Sequence, residues 1–174
     1  MFYAGVGSRK PPEDILRRLA KYASILEGWG YTLRSGGAIG CDKAFERGVV
    51  DSSKKEIFRS NDAEPWAYDY VRKCLPKDRP PYDDPKGYVN WDPYIKGLLA
   101  RNMMQVLGKD GDSPVDFLVC WAPLEDVLTS KVGGTGYAIR CAMLNRIPVY
   151  NVACPKRRKE FEAHLVNILT SFKN

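Results

Sequence analysis

Histidine occurs once in the 174 residues, and no two of the five cysteines stand in a CxxC pair. A zinc site needs several such ligands at short spacing, so no metal is expected, and no motif calls for a cofactor. Cys41, Cys74, Cys120, Cys141 and Cys154 are scattered and odd in number, which suits reduced thiols in the cytoplasm better than a disulfide framework. No run of about 18 apolar residues occurs, so a membrane span is not expected and no membrane partner with it. A strand-like Phe2-Tyr3-Ala4-Gly5-Val6 begins almost at once, leaving no room for a signal peptide. Internal repeats are absent, and so is any boundary between two domains.

What is present is an ordinary globular composition, 44% apolar and 28% charged, sufficient for one domain with a full core. Lys and Arg outnumber Asp and Glu by 27 to 21, a formal charge of +6 that favours an anionic partner. Much of the excess falls in Lys156-Arg157-Arg158-Lys159 and in Arg17-Arg18. Taken alone, both clusters read as solvated helix faces.

Strand and helix patterns alternate along the chain. Residues 2–6 read as a strand, and a helix follows with Ile15, Leu16, Leu19, Tyr22, Ala23 and Leu26 on one face, ended by Gly28. Tyr31 to Leu33 reads as the second strand, followed by a helix from Lys43 to near Val50. Residues 54–58 read as the third strand, and 64–75 as an aromatic-rich helix. The stretch 76–91 is dense in Pro, Asp and Tyr and reads as a lid-like or mobile insertion, functional or disordered in its central part. A helix over Ile95 to Leu107 precedes Val115-Asp116-Phe117-Leu118-Val119-Cys120-Trp121, nearly all apolar as a central parallel strand should be. A helix from Gly133 to Asn145, a strand over 147–152 and a C-terminal helix complete the order. The expected fold is α/β: a Rossmann-like three-layer α/β/α sandwich around a mostly parallel five-stranded sheet, with 1–174 one domain.

Three turns between strands and helices contain glycine: Gly7-Ser8-Arg9, Ser35-Gly36-Gly37-Ala38 and Gly133-Gly134-Thr135. Unpaired N–H groups at a helix start, together with the helix dipole, favour an anion such as phosphate. In a parallel sheet such turns share one edge, so the three together can surround one phosphorylated ligand. Arg9 suits bidentate phosphate contact. Asp42 can hydrogen-bond a ribose or a base, act as a general acid or base, or simply stabilise its own helix start. Glu46 lies one turn further along the same helical face. Arg101 and Asn102 stand out in an otherwise apolar helix, where a buried charge needs a partner. Trp121 can stack on a base or cap the sheet. Cys41 reads as a small buried hydrophobe, and His164 lies away from every turn.

Taken together, "GSR" at Gly7–Arg9, "SGGAxGxDxAFExG" at Ser35–Gly48, "ARNxxQVLG" at Ala100–Gly108, "VCWxP" at Val119–Pro123 and "GGTGxAIRxA" at Gly133–Ala142 resemble the Rossmannoid proteins typified by the DNA-processing protein A (DprA/Smf) family. The last three of these motifs resemble the short, single-domain members common in phage genomes. The broader group includes the cytokinin-activating phosphoribohydrolases, whose PGGxGTxxE motif carries a glutamate that assists N-glycosidic cleavage. The matching stretch here, Val132 to Arg140, has no acid, which argues against the same hydrolysis. The resemblance implies a ligand pocket lined by Gly7, Ser8, Arg9, Ser35, Gly36, Gly37, Ala38, Asp42, Arg101, Asn102, Trp121, Gly133, Gly134 and Thr135. The expected function is recognition of a small phosphorylated nucleoside, such as a nucleotide or an ADP-ribose-like signal. One alternative is an N-glycosidic hydrolase or transferase using Asp42 or Glu46. The other is single-stranded DNA binding, as in the DNA-processing protein A family. Related proteins often form homo-oligomers, and a phage-encoded member would act in the host cytoplasm.

Overall fold

The computed structural model describes residues 1–76, 88, 90–123 and 132–171. Most of the insertion expected over 76–91, and the loop that follows Pro123, lie outside the described residues.

Five strands, β1 (Phe2–Gly7), β2 (Thr32–Ser35), β3 (Lys55–Ile57), β4 (Phe117–Trp121) and β5 (Val149–Asn151), form one sheet in the order β3-β2-β1-β4-β5. Every pairing is parallel. The described helices are α1 (Glu13–Gly28), α2 (Cys41–Gly48), α3 (Pro65–Lys73), α4 (Pro93–Leu107), α5 (Gly133–Leu144) and α6 (Pro155–Ser171). No described helix is long and apolar enough to cross a membrane.

Alternation along the strands sorts the core into two layers. Tyr3, Leu33, Phe117 and Val119 face α1, α2 and α6, where Leu19, Phe45 and Phe161 are fully buried. Ala4, Val6, Leu118 and Cys120 face α3, α4 and α5. These are the three layers that the alternating sequence pattern predicts, because a parallel sheet must be covered on both faces. His164 packs edge-on to Phe117 at 5.1 Å and stacks with Tyr150 at 5.5 Å between ring centroids, so it is an aromatic of the first layer.

Several boundaries differ from expectation by one or two residues, and those of β2 and α2 bear on the site. β2 begins later than expected and runs on to Ser35, whose carbonyl accepts from Phe58 N at 2.9 Å, so the strand extends into the glycine turn. α2 stops at Gly48 because Val49 turns extended, as suits a β-branched residue leaving a helix. The seam between β1 and α2 is narrow. A Cβ at Gly5 would lie 2.6 Å from the Phe45 ring, and one at Gly7 would lie 2.6 Å from Cys41 Sγ.

Candidate functional site

The chain steps outward from β1 to β2 and β3, then returns to the other side of β1 for β4. Order reverses between β1 and β4, and in such sheets the crevice for ligands opens beyond the carboxyl ends of the strands there. All three glycine turns follow strand ends on that edge, and hydrogen bonds knit them together. Ser8 N donates to Trp121 O at 3.1 Å, joining the ends of β1 and β4. Cys41 N donates to Ser8 O at 3.1 Å, fastening the start of α2 to the first turn. Gly40 is required at that contact: its φ is +89°, and a Cβ would meet Ser8 O at 2.5 Å.

Helix α4 ties in the other two turns through adjacent side chains. Arg101 Nη1 donates to Asp42 Oδ2 at 3.2 Å and to Gln105 Oε1 at 3.3 Å. Its guanidinium lies where a Cβ of Gly36 would be, so glycine at 36 is what lets α4 reach the second turn. Next to it, Asn102 Nδ2 donates to Gly134 O at 2.9 Å in the third turn. The sequence points to Arg101 and Asn102 because a polar pair is unexpected in an apolar helix, and the structure gives each a loop to hold.

Asp42 is the centre of this cluster. Its Oδ2 accepts from Gly36 N at 3.2 Å and Ala38 N at 3.4 Å as well as from Arg101. The N–H groups expected to cradle a phosphate are thus engaged by the chain's own carboxylate. Asp42 and Arg101 are only 4% and 7% exposed. Burial pushes the Asp42 carboxyl up from its ordinary range, while the Arg101 guanidinium and the two backbone donors pull it back. Glu46 accepts from Ser35 Oγ at 2.8 Å and from Lys43 Nζ at 2.6 Å, which ties it to the same turn.

Other expected site residues are more open. Arg9 is exposed and Ser8 half-buried, with Ser8 Oγ accepting from Lys10 N at 3.2 Å. Gly133 and Gly134 are exposed at the start of α5, which has no side-chain cap. Thr135 and Gly37 are half-buried. Trp121 is half-buried against the layer of α1, α2 and α6, on the opposite face of the sheet from Arg101 and Asn102. Cys41 is fully buried and its thiol is pushed up to about 12 by burial, as befits an inert core residue.

Three residues that sequence reading passes over also shape this part of the fold. Asn151, at the end of β5, clamps Ala122 on both sides, accepting its N–H at 3.0 Å and donating to its carbonyl at 2.9 Å. Gln105 receives Arg101, though a glutamine among apolar helix positions gave little signal. Arg34 is 3% exposed on β2, where it pairs with Glu56 at 2.7 Å, donates to Ser113 O and lies over the Phe2 ring. Its role is to hold the β3 side of the sheet.

Among the described residues, no group of His, Cys, Asp or Glu is placed to hold a metal ion. No protein-family model matches the chain, and no curated protein does so either. Among solved structures, it is similar to DNA processing protein A from Helicobacter pylori, described in work on that protein's single-stranded DNA binding mode. The identity is 16%, with 86% of this chain and 63% of that one covered at a TM-score of 0.52, so this chain spans less than two thirds of its neighbour. At that identity the likeness shows the architecture alone: this chain has a Rossmann-like α/β/α fold of the kind found in DNA processing protein A.

Proposed function

We propose that this protein binds single-stranded nucleic acid along the carboxyl edge of its sheet, chiefly through the phosphate backbone. The observation that carries the reading is the start of α6. Pro155 opens that helix directly after β5, and Lys156, Arg157, Arg158 and Lys159 follow with no acid in the first turn. Cations are unfavourable at the positive end of a helix dipole, so four of them there oppose helix stability until an anion arrives. Arg157 has one local partner, Glu160 at 2.8 Å.

The same edge carries further exposed cations: Arg9 and Lys10 after β1, Lys43 in the first turn of α2, and Arg59 after β3. Four strand spacings separate β3 from β5, about 19 Å. A row of that width suits several phosphates of a polymer better than one mononucleotide. The commitment of Asp42 to Gly36, Ala38 and Arg101 agrees, because it leaves the second turn fewer donors for a lone phosphate. The architectural likeness to a protein described as binding single-stranded DNA adds support.

Anisotropy titrations of a labelled oligothymidylate at several salt concentrations test the reading. Wild type should lose affinity steeply with salt. Reversing three cations in Lys156→Glu/Arg157→Glu/Lys159→Glu should weaken binding at low salt by tenfold or more and flatten the log–log salt slope by about 2. Wild-type affinity in the reversed variant, or no binding at low salt, would overturn it.

A further inference from the structure

A groove of about 730 Å³ opens beside β3, the strand at one margin of the sheet. Phe58 and Trp66 give it apolar walls, and the turn over 109–113 closes it. That turn leads from α4 into the amino end of β4, opposite the end at which the three glycine turns lie. Trp66 is held in place as a wall. Its Nε1 donates to Lys109 O at 2.9 Å, and a Cβ on Gly111, whose φ is +84°, would lie 3.2 Å from its ring.

The groove has the opposite sign from the chain as a whole, which carries +6. Three acids line it, Glu56, Glu64 and Asp110, against two cations, Arg34 and Lys109. Arg34 is buried and already spent, with Nε on Glu56 and Nη1 on Ser113 O. Lys109 stands 3.8 Å from Glu64 with its side chain 76% exposed, so it offsets little of that charge. Ser113 Oγ and Asp112 N donate to Asp110 and hold its carboxyl below the ordinary range, which keeps it ionised. Exposed Asp62 and Asp112 flank the lining residues in sequence. Such a groove repels phosphate and draws in a cation.

The backbone beside the groove is open to pairing as well. β3 has β2 as its one neighbour in the sheet. Phe58 N donates to Ser35 O, and in a parallel ladder alternate residues bond to the same side. Glu56 and Phe58 therefore face β2 with their backbone groups, while Ile57 turns its N–H and C=O outward. The Lys55 carbonyl turns outward too, its N–H being used on Ser52 O. An added strand finds its main-chain partners there and drops alternate side chains into the groove. A long cationic side chain suits it, with an apolar stem for the Trp66 ring and a charged head for the carboxylates.

We propose that the β3 margin docks an extended basic peptide of a partner protein, which pairs with Ile57 and lays one Arg or Lys side chain beside Glu64 and Trp66. The inference stands apart from nucleic-acid binding, because the groove has the wrong charge for phosphate. The test selects heptapeptides from a random phage-displayed library on the full chain, then titrates the leading peptide in synthetic labelled form. Selection on wild type should enrich Arg or Lys at one position between alternating β-branched residues. Glu64→Arg reverses one charge at an open position and should weaken the selected peptide by about tenfold or more. Lys109→Glu removes the competing cation and should tighten it. Bound peptide should slow hydrogen exchange of the Ile57 amide, and excess oligothymidylate should leave the peptide bound. A selection without a cationic position, or equal affinity in Glu64→Arg, would overturn the proposal. So would unchanged exchange at Ile57, which would mean that no strand is added. Displacement by oligothymidylate would make the groove part of the nucleic-acid surface and overturn it too. A dimer in sedimentation that Glu64→Arg converts to monomer would show a second copy of the chain to be the occupant, with the same result.

Discussion

Asp42 and Arg101 form a buried ion pair whose worth depends on both members staying. Removing two charges from water is expensive, and their attraction with the added hydrogen bonds roughly offsets that cost. Removing one member leaves the other uncompensated. Arg101→Leu should therefore destabilise the fold by about 3–5 kcal/mol in urea unfolding, while Asp42→Asn/Arg101→Leu together should cost less than the two single changes summed. Gly36→Ala belongs to the same unit, because its methyl group would displace the guanidinium. Combined with Arg101→Leu it should add little. Strict additivity in this set would show that the three residues do not act as one clamp.

At the scale of elements, α6 and α4 have different tasks. α6 is anchored to the body by Phe161 and Leu165 and by Glu162, which accepts from Tyr22 Oη at 2.5 Å and Arg18 at 3.2 Å. That anchoring allows its first turn to carry charges that the helix dipole disfavours. Lys156→Glu should accordingly raise thermal stability by about 0.3–1 kcal/mol while weakening nucleic-acid binding. A melting temperature that falls instead would show that Lys156 has a stabilising partner. α4 is the connector, reaching the second turn with Arg101, the third with Asn102 and the cavity beside α5 with Ile95 and Leu99.

Across the whole molecule, the single histidine gives a clean handle on how stability depends on pH. Burial lowers the His164 pKa below its ordinary 6.5, and its Nε2 is buried without a partner among the described residues. The unfolded chain therefore binds this proton more readily than the folded one. His164's contribution is present in full above about pH 6.5 and is lost as pH falls toward the lower folded value. Wild type should lose melting temperature relative to His164→Phe between pH 7.5 and 5.5. Parallel profiles for the two proteins would refute the role given to its burial.

The alternation of strands and helices, their approximate limits and the three-layer class were legible in the sequence, since periodicity and turn chemistry are local properties of the chain. The turns could likewise be recognised as lying on one edge, because parallel crossovers place every strand-to-helix turn there. The oddity of Arg101 and Asn102 could be seen, but not their partners. Asp42 is 59 residues from Arg101, and only the packing of α4 across the sheet decided that the most suggestive acid in the chain is paired with a buried cation. The face of the sheet on which Trp121 lies, and the meeting of Trp91 with Tyr137 in one cavity, were decided the same way. Sequence sets what each segment prefers to be. Which charges meet, and which cations are left facing solvent, depends on distances between elements that exist only once the sheet and its two layers have assembled.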